Sequence, residues 1–121
     1  MAKRTGPSNV QLQGLIMELK KKSIKERAPL WKRIATDLER PSRQRRIVNL
    51  SRLNRFTKDS EIIVVPGKVL ASGLIDHKMT VAAFDFSQGA VEKLRAKNCD
   101  VLSIIELMNK DVKPQDIKII G

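Results

Sequence analysis

From Arg40 to Lys58 the chain carries seven basic residues and no acidic one, and this stretch limits what the rest can become. Cations at that density repel one another, and burying them without partners costs several kcal/mol each. The imbalance spans the whole first half. Residues 1–58 hold 16 Lys and Arg against 4 Asp and Glu, whereas residues 59–121 hold 8 against 9. A half-molecule with a net charge of +12 requires an anion to neutralise it. Nucleic acid is the first such partner and an anionic membrane the second. The membrane is disfavoured because 40–58 lacks the Trp/Phe/Leu face that an interfacial helix buries.

Hydrophobic residues make up 41% of the 121 positions, enough for one domain with a modest core and too many for wholesale disorder. Apolar runs such as Ile62–Val65 fall far short of the roughly 18 residues of a membrane span. No apolar stretch follows Met1-Ala2-Lys3-Arg4-Thr5, so no secretory signal is expected. Cys99 is the only cysteine and has no internal disulfide partner. These features point to a cytoplasmic protein.

Hydrophobic spacing predicts helices first and strands later. Residues 1–7 read as a basic, Gly/Pro-punctuated tail. Ser8 and Gln11 fit a capping box, and Leu12, Leu15, Ile16 and Leu19 form one face of a helix running to about Lys22. Pro29 opens a second helix, with Leu30, Trp31, Ile34 and Leu38 as its stripe and Pro41 beyond its end. A basic linker, Lys21–Arg27, is expected between them. Ile47–Phe56 reads as a short extended piece leading into a turn of helix. Glu61–Val65 is β-branched, and Pro66-Gly67 is expected to stop it. Lys68–Ala71 and Met79–Phe84 are further strand candidates. Ser87 caps a predicted helix over Gln88–Lys97, with Val91 and Leu94 inward and Asn98 at its end. Ser103 and Glu106 form a capping box opening a helix to about Lys110, and Ile117–Ile120 reads as a final strand.

Catalytic chemistry finds little support. His77 is the only histidine, so it and Cys99 cannot assemble a zinc set. Asp76, its direct neighbour, is poorly placed to orient the ring, and His77 reads as a solvated turn residue. Cys99 reads as a half-buried small hydrophobe. Gly67-Lys68 resembles the end of a phosphate-binding loop, but Val69 stands where Ser or Thr must hold magnesium. No metal, cofactor or small-molecule substrate is expected.

Nucleic-acid binding fits better. Arginine is concentrated where acids are missing, and its planar fork suits phosphate oxygens. If about eight cations each neutralise a phosphate, the log–log dependence of affinity on salt has a slope on the order of −6 to −7. Trp31, Phe56, Phe84 and Phe86 all lie inside apolar patterns and are expected in the core. Recognition is therefore expected through backbone and shape rather than base stacking. Lys20, Lys21, Lys22 and Lys25 also fit a plain solvated helix end. Arg43, Arg45, Arg46, Arg52 and Arg55 do not, because no acid accompanies them.

Three stretches together carry a family pattern: Val48-Asn49-Leu50-Ser51-Arg52-Leu53-Asn54-Arg55-Phe56, Val64-Val65-Pro66-Gly67-Lys68-Val69-Leu70-Ala71-Ser72-Gly73 and Thr80-Val81-Ala82-Ala83-Phe84-Asp85-Phe86-Ser87. In this order and spacing the chain resembles the archaeal and eukaryotic large-subunit ribosomal protein family L-eighteen-e, a relative of bacterial L-fifteen. Ending soon after Ile120, it is similar to the compact archaeal form. The resemblance implies an α/β fold in which N-terminal helices pack beside an irregular ββα-type layered core of short strands and helices. It implies a single ribosomal RNA-binding domain over 1–121, with 40–58 as the Arg-rich contacting segment, and a structural role without catalysis. The implied RNA-facing residues are Lys3, Arg4, Arg40, Arg43, Arg45, Arg46, Asn49, Arg52 and Arg55, with Lys68 and Ser72 joining them. Implied partners are large-subunit ribosomal RNA and neighbouring ribosomal proteins, the latter or solvent meeting the acid-rich second half.

Two other classes remain open at this point. A DNA-binding regulator would use residues 9–39 as a helix pair, although the second helix offers little beyond Lys32 and Arg33 for reading bases. An RNA-processing enzyme would need a histidine or carboxylate pair in a pocket.

Overall fold

In the computed structural model, residues 9–39, 46–110 and 112–120 are described, and the chain divides into two compact units, 1–44 and 45–121. Each unit is built from a different hydrophobic period, as the spacing predicted.

In the first unit, Asn9–Glu26 forms a single helix, α1, and Pro29–Leu38 forms α2 with the proline in its first turn. Leu15 and Leu19 of α1 and Trp31, Ile34, Ala35 and Leu38 of α2 are buried. The expected linker Lys21–Arg27 is corrected: residues 21–26 are helical, and only Arg27 and Ala28 separate the helices. These residues are good helix formers, and Lys22 donates to Glu26 one turn on at 2.6 Å. Arg27 ends α1 by turning left-handed, at φ 53°. Its N–H donates to the Ile24 carbonyl at 3.4 Å and the Ala28 N–H to the Ser23 carbonyl at 3.1 Å, the bond pair of a Schellman cap. The expected Ser8 cap lies outside the described residues.

The second unit is a five-stranded sheet in which every described pairing is parallel. Its strands are β1 (Arg46–Asn49), β2 (Glu61–Leu70), β3 (Met79–Phe86), β4 (Asp100–Ser103) and β5 (Ile117–Ile119). The order is β1-β2-β3-β4, with β5 also on β2. Helices α3 (Leu50–Phe56), α4 (Gln88–Ala96) and α5 (Ile104–Met108) follow β1, β3 and β4. Both serine caps predicted in this unit form: Ser87 Oγ accepts the Ala90 N–H at 3.2 Å, and Ser103 and Glu106 make a reciprocal capping box. Asn98 closes α4 at φ 62°. The fold is thus mixed α/β, as expected, although β4 carried no strand signal strong enough to be predicted.

The expected stop at Pro66-Gly67 is also corrected, since β2 runs straight through both residues. The reason lies in the register. On one flank β5 pairs with Ile62–Val64 and β1 with Gly67–Leu70, leaving Pro66 between them. On the other flank the pairing with β3 jumps from Val65↔Ala83 to Lys68↔Asp85, a bulge of one residue. Pro66 therefore sits where its missing N–H forfeits no ladder bond.

The core of this unit joins Val48, Ile63, Val65, Val69, Val81 and Ala83 of the sheet with Leu50 and Leu53 of α3, Ala90 and Leu94 of α4, and Ile75. Each fully buried leucine contributes about 1.5–3 kcal/mol relative to exposure. That burial fixes α3 and α4 and decides which of their side chains face water.

Candidate nucleic-acid interface

The candidate interface begins where two strands end together. Asn49 closes β1 opposite Leu70, the last residue of β2. The chain continues into α3 from one and into the loop 71–78 from the other, and the two stay joined. The Ser51 N–H donates to the Ser72 carbonyl at 3.0 Å. Gly73 lies against Ser51 at φ +104°, where a Cβ would meet the Ser51 nitrogen at 2.5 Å. Lys93 of α4 reaches across to hold the loop, donating to the carbonyls of Ala71 at 2.8 Å and Gly73 at 3.1 Å.

Several of the expected RNA-facing residues lie on the elements that meet at this junction. Asn49 is half-buried at the start of α3, while Arg52 and Arg55 are exposed along it, three residues apart and so on one face. Ser72 is exposed beside Ser51, and Lys68 is exposed on β2, paired with Ile47 of β1 and 3.9 Å from the Asp85 carboxylate. Among the described residues, no carboxylate pairs with Arg52 or Arg55. Arg46 opens β1. Lys3, Arg4, Arg40, Arg43 and Arg45 lie outside the described residues.

The lysine cluster of α1 behaves differently. Lys20 donates to Glu39 at 2.8 Å, Lys21 stands 3.8 Å from Glu18, and Lys22 donates to Glu26 while lying 5.2 Å over the Trp31 ring. The Lys22 bond holds the Glu26 carboxyl below its ordinary range. All three cations thus have acid partners within their own unit, in keeping with a solvated helix end.

Two sequence readings are overturned near the C-terminus of α3. His77 is not a solvated turn residue, for its side chain is only 17% exposed. Nor does adjacency prevent Asp76 from orienting it: Nδ1 lies 2.8 Å from Asp76 Oδ1 and Nε2 lies 2.7 Å from Thr57 Oγ1. Thr57, itself buried, donates its hydroxyl to the Leu53 carbonyl at 2.7 Å. Asn54 Oδ1 accepts the Asp76 N–H at 3.0 Å. The His77 ring first, and Asn54 second, hold the Asp76 carboxyl below its usual value. This chain of bonds fastens the end of α3 to the loop 71–78. Cys99 is buried among apolar neighbours, as a small hydrophobe would be, and burial pushes its thiol pKa up.

The second overturned reading concerns Phe56, expected in the core and found 46% exposed. Leu50 and Leu53 take the inward positions, and α3 ends before a third turn can bury the ring. Trp31 is buried as expected, and Phe86 packs against the core. Sequence reading also passed over Lys118, whose Nζ donates to the Phe56 carbonyl at 2.8 Å. The alternation Ile117-Lys118-Ile119 held a signal for it, because a strand turns its middle residue away from its neighbours.

Among the described residues, no group of His, Cys, Asp and Glu is arranged to hold a metal, and no helix is long and apolar enough to cross a membrane. The surface described above can attract phosphates through Arg52, Arg55 and Lys68 and offer polar contacts from Ser72 and Asn49.

No family model matches the chain. Curated proteins do. A protein named "Large ribosomal subunit protein eL18" from Sulfurisphaera tokodaii is 42% identical over 115 residues, spanning 93% of this chain and 94% of that protein. Proteins of the same name from Methanothermobacter thermautotrophicus and Methanoregula boonei are 40% and 37% identical over 120 residues, spanning 99% of each chain.

Proposed function

Because the chain belongs to the large ribosomal subunit protein eL18 family, we propose that it is a non-catalytic structural constituent of the large subunit of the cytoplasmic ribosome, binding and stabilising ribosomal RNA through its basic N-terminal half. The observation that carries this reading is the acid-free segment 40–58, whose described part sets Arg52 and Arg55 on an open face of α3.

On this reading both compact units serve one RNA-binding domain. The parallel sheet and its helices form a rigid mount, and Lys3, Arg4, Arg40, Arg43, Arg45 and Arg46 join Arg52 and Arg55 in clamping phosphates. Lys68, Asn49 and Ser72 add contacts at the strand ends. Displaced counterions supply much of the affinity, which therefore falls steeply with salt. The second half, nearly neutral overall, meets solvent or neighbouring ribosomal proteins.

Sedimentation of the tagged chain from a cell extract tests the assignment: co-migration with the large subunit is expected, and confinement to the top of the gradient overturns it. Changing Arg43, Arg45 and Arg46 together to Glu should abolish binding to large-subunit RNA while leaving the fold. Binding to duplex DNA as tight as to that RNA would instead favour the regulator reading of the helix pair at 9–39.

A further inference from the structure

Phe56 is an aromatic ring left open in a cationic setting. Its neighbours on α3 are Arg55, exposed beside it, and Arg52, whose guanidinium carbon lies 4.9 Å from the ring centroid. Lys58 is exposed two residues on, and Lys118 binds the Phe56 carbonyl. The nearby acids are already engaged. Glu61 accepts the Lys58 N–H at 2.6 Å and stands 3.8 Å from Lys118, and Asp59 accepts the Lys78 N–H at 3.1 Å.

Cation–π contact with Arg52 accounts for one covering of the ring. It does not account for the 46% of Phe56 that stays exposed. A partly open aromatic ring flanked by cations is the combination that binders of single-stranded nucleic acid use. A lipid surface would need a broader apolar face than one ring, and an acidic protein segment would not call for a flat one.

We propose that Arg52 and Phe56 form a stacking platform for one unpaired nucleobase of RNA, with Arg55 and Lys58 holding the phosphates on either side of it. The inference rests on the RNA-binding reading above and adds to it a base-level contact, where the sequence pointed to backbone and shape alone. An unpaired base is required, since one in a duplex has both faces covered by its neighbours.

The test uses the full chain and a transcript of large-subunit ribosomal RNA. Phe56→Leu should weaken binding on the order of ten-fold, leave the salt slope unchanged, and expose one unpaired base to chemical probing that the unaltered protein protects. Phe56→Tyr should restore both affinity and protection. Ultraviolet crosslinking of the unaltered protein should join a base to the short tryptic peptide starting at Phe56, so the outcome does not depend on any variant folding. Binding by Phe56→Leu within two-fold of the original with an unchanged footprint, or absence of that crosslink, overturns the platform while leaving RNA binding intact. Failure of the unaltered chain to bind the transcript overturns both. Unchanged RNA affinity with loss of a neighbouring protein from assembled subunits would assign the ring to a protein contact, and the platform would fall.

Discussion

Gly73 presses so closely on Ser51 that a Cβ on the glycine would stand 2.5 Å from the serine's backbone nitrogen. The same nitrogen donates its hydrogen to the Ser72 carbonyl. Position 73 thus answers to two demands at once, a positive φ of 104° and space for another segment's backbone. Replacing Gly73 by Ala should destabilise the second unit by about 2–4 kcal/mol, from backbone strain and overpacking together. Urea unfolding followed by circular dichroism measures this, and a loss under about 0.5 kcal/mol would show that the junction yields easily.

Arg27 makes the opposite case, a side chain occupying a left-handed position that glycine fills more readily. Arg27→Gly should stabilise the helical unit by about 0.5–1 kcal/mol, because the cap geometry at φ 53° loses its steric cost. A thermal midpoint that rises by a few degrees is the expected result. A fall would mean that the arginine side chain contributes something beyond the cap.

Lys93 spends its charge on two carbonyls of the loop that carries Ser72. Lys93→Met keeps the aliphatic stem and removes the donors, at a cost of about 0.5–1.5 kcal/mol for a bond pair at the surface. Amide exchange across 71–73 should quicken more than exchange in the β-strands. Equal acceleration everywhere would point to global loss instead.

The Asp76–His77–Thr57 chain of bonds gives the second unit an acid-sensitive seam. The folded Asp76 carboxyl titrates below its ordinary value, chiefly because the His77 ring bonds its ionised form. Its contribution is therefore complete above the unfolded pKa and disappears as pH falls through the folded one. Asp76→Asn should lie below the original protein in stability near neutral pH and converge with it as pH falls below the ordinary Asp range. Denaturant midpoints across that range check the sign, and parallel curves would refute it.

How much of this was legible beforehand differs by element. Serine caps are local, so Ser87 and Ser103 announced α4 and α5 within a few residues. The fate of Pro66 depended on where β1 and β5 stop along β2, which is a fact about segments far from it in the chain. Lys21–Arg27 looked like a linker because charge suppressed its hydrophobic period, yet the pairs with Glu18 and Glu26 support a helix as far as Glu26. Phe56 misled for a related reason. Spacing of three from Leu53 suits an inward face only while the helix continues, and α3 ends at that residue. For the candidate interface, Arg52, Arg55, Lys68 and Ser72 were readable as candidates from residue type and motif, and each is exposed. That Asn49 would stand opposite Leu70 and Ser51 against Ser72 at the joined ends of β1 and β2 was not, since parallel pairing brings together residues that no local pattern links.

One flank of β2 is shared end to end by β1 and β5, and the two partners are made at very different times. A growing chain can pair Gly67–Leu70 with β1 almost at once. Ile62–Val64 must keep that edge open until Ile117–Ile119 have been synthesised. During the interval an apolar strand edge is bare, and such an edge is where one nascent copy can pair with another.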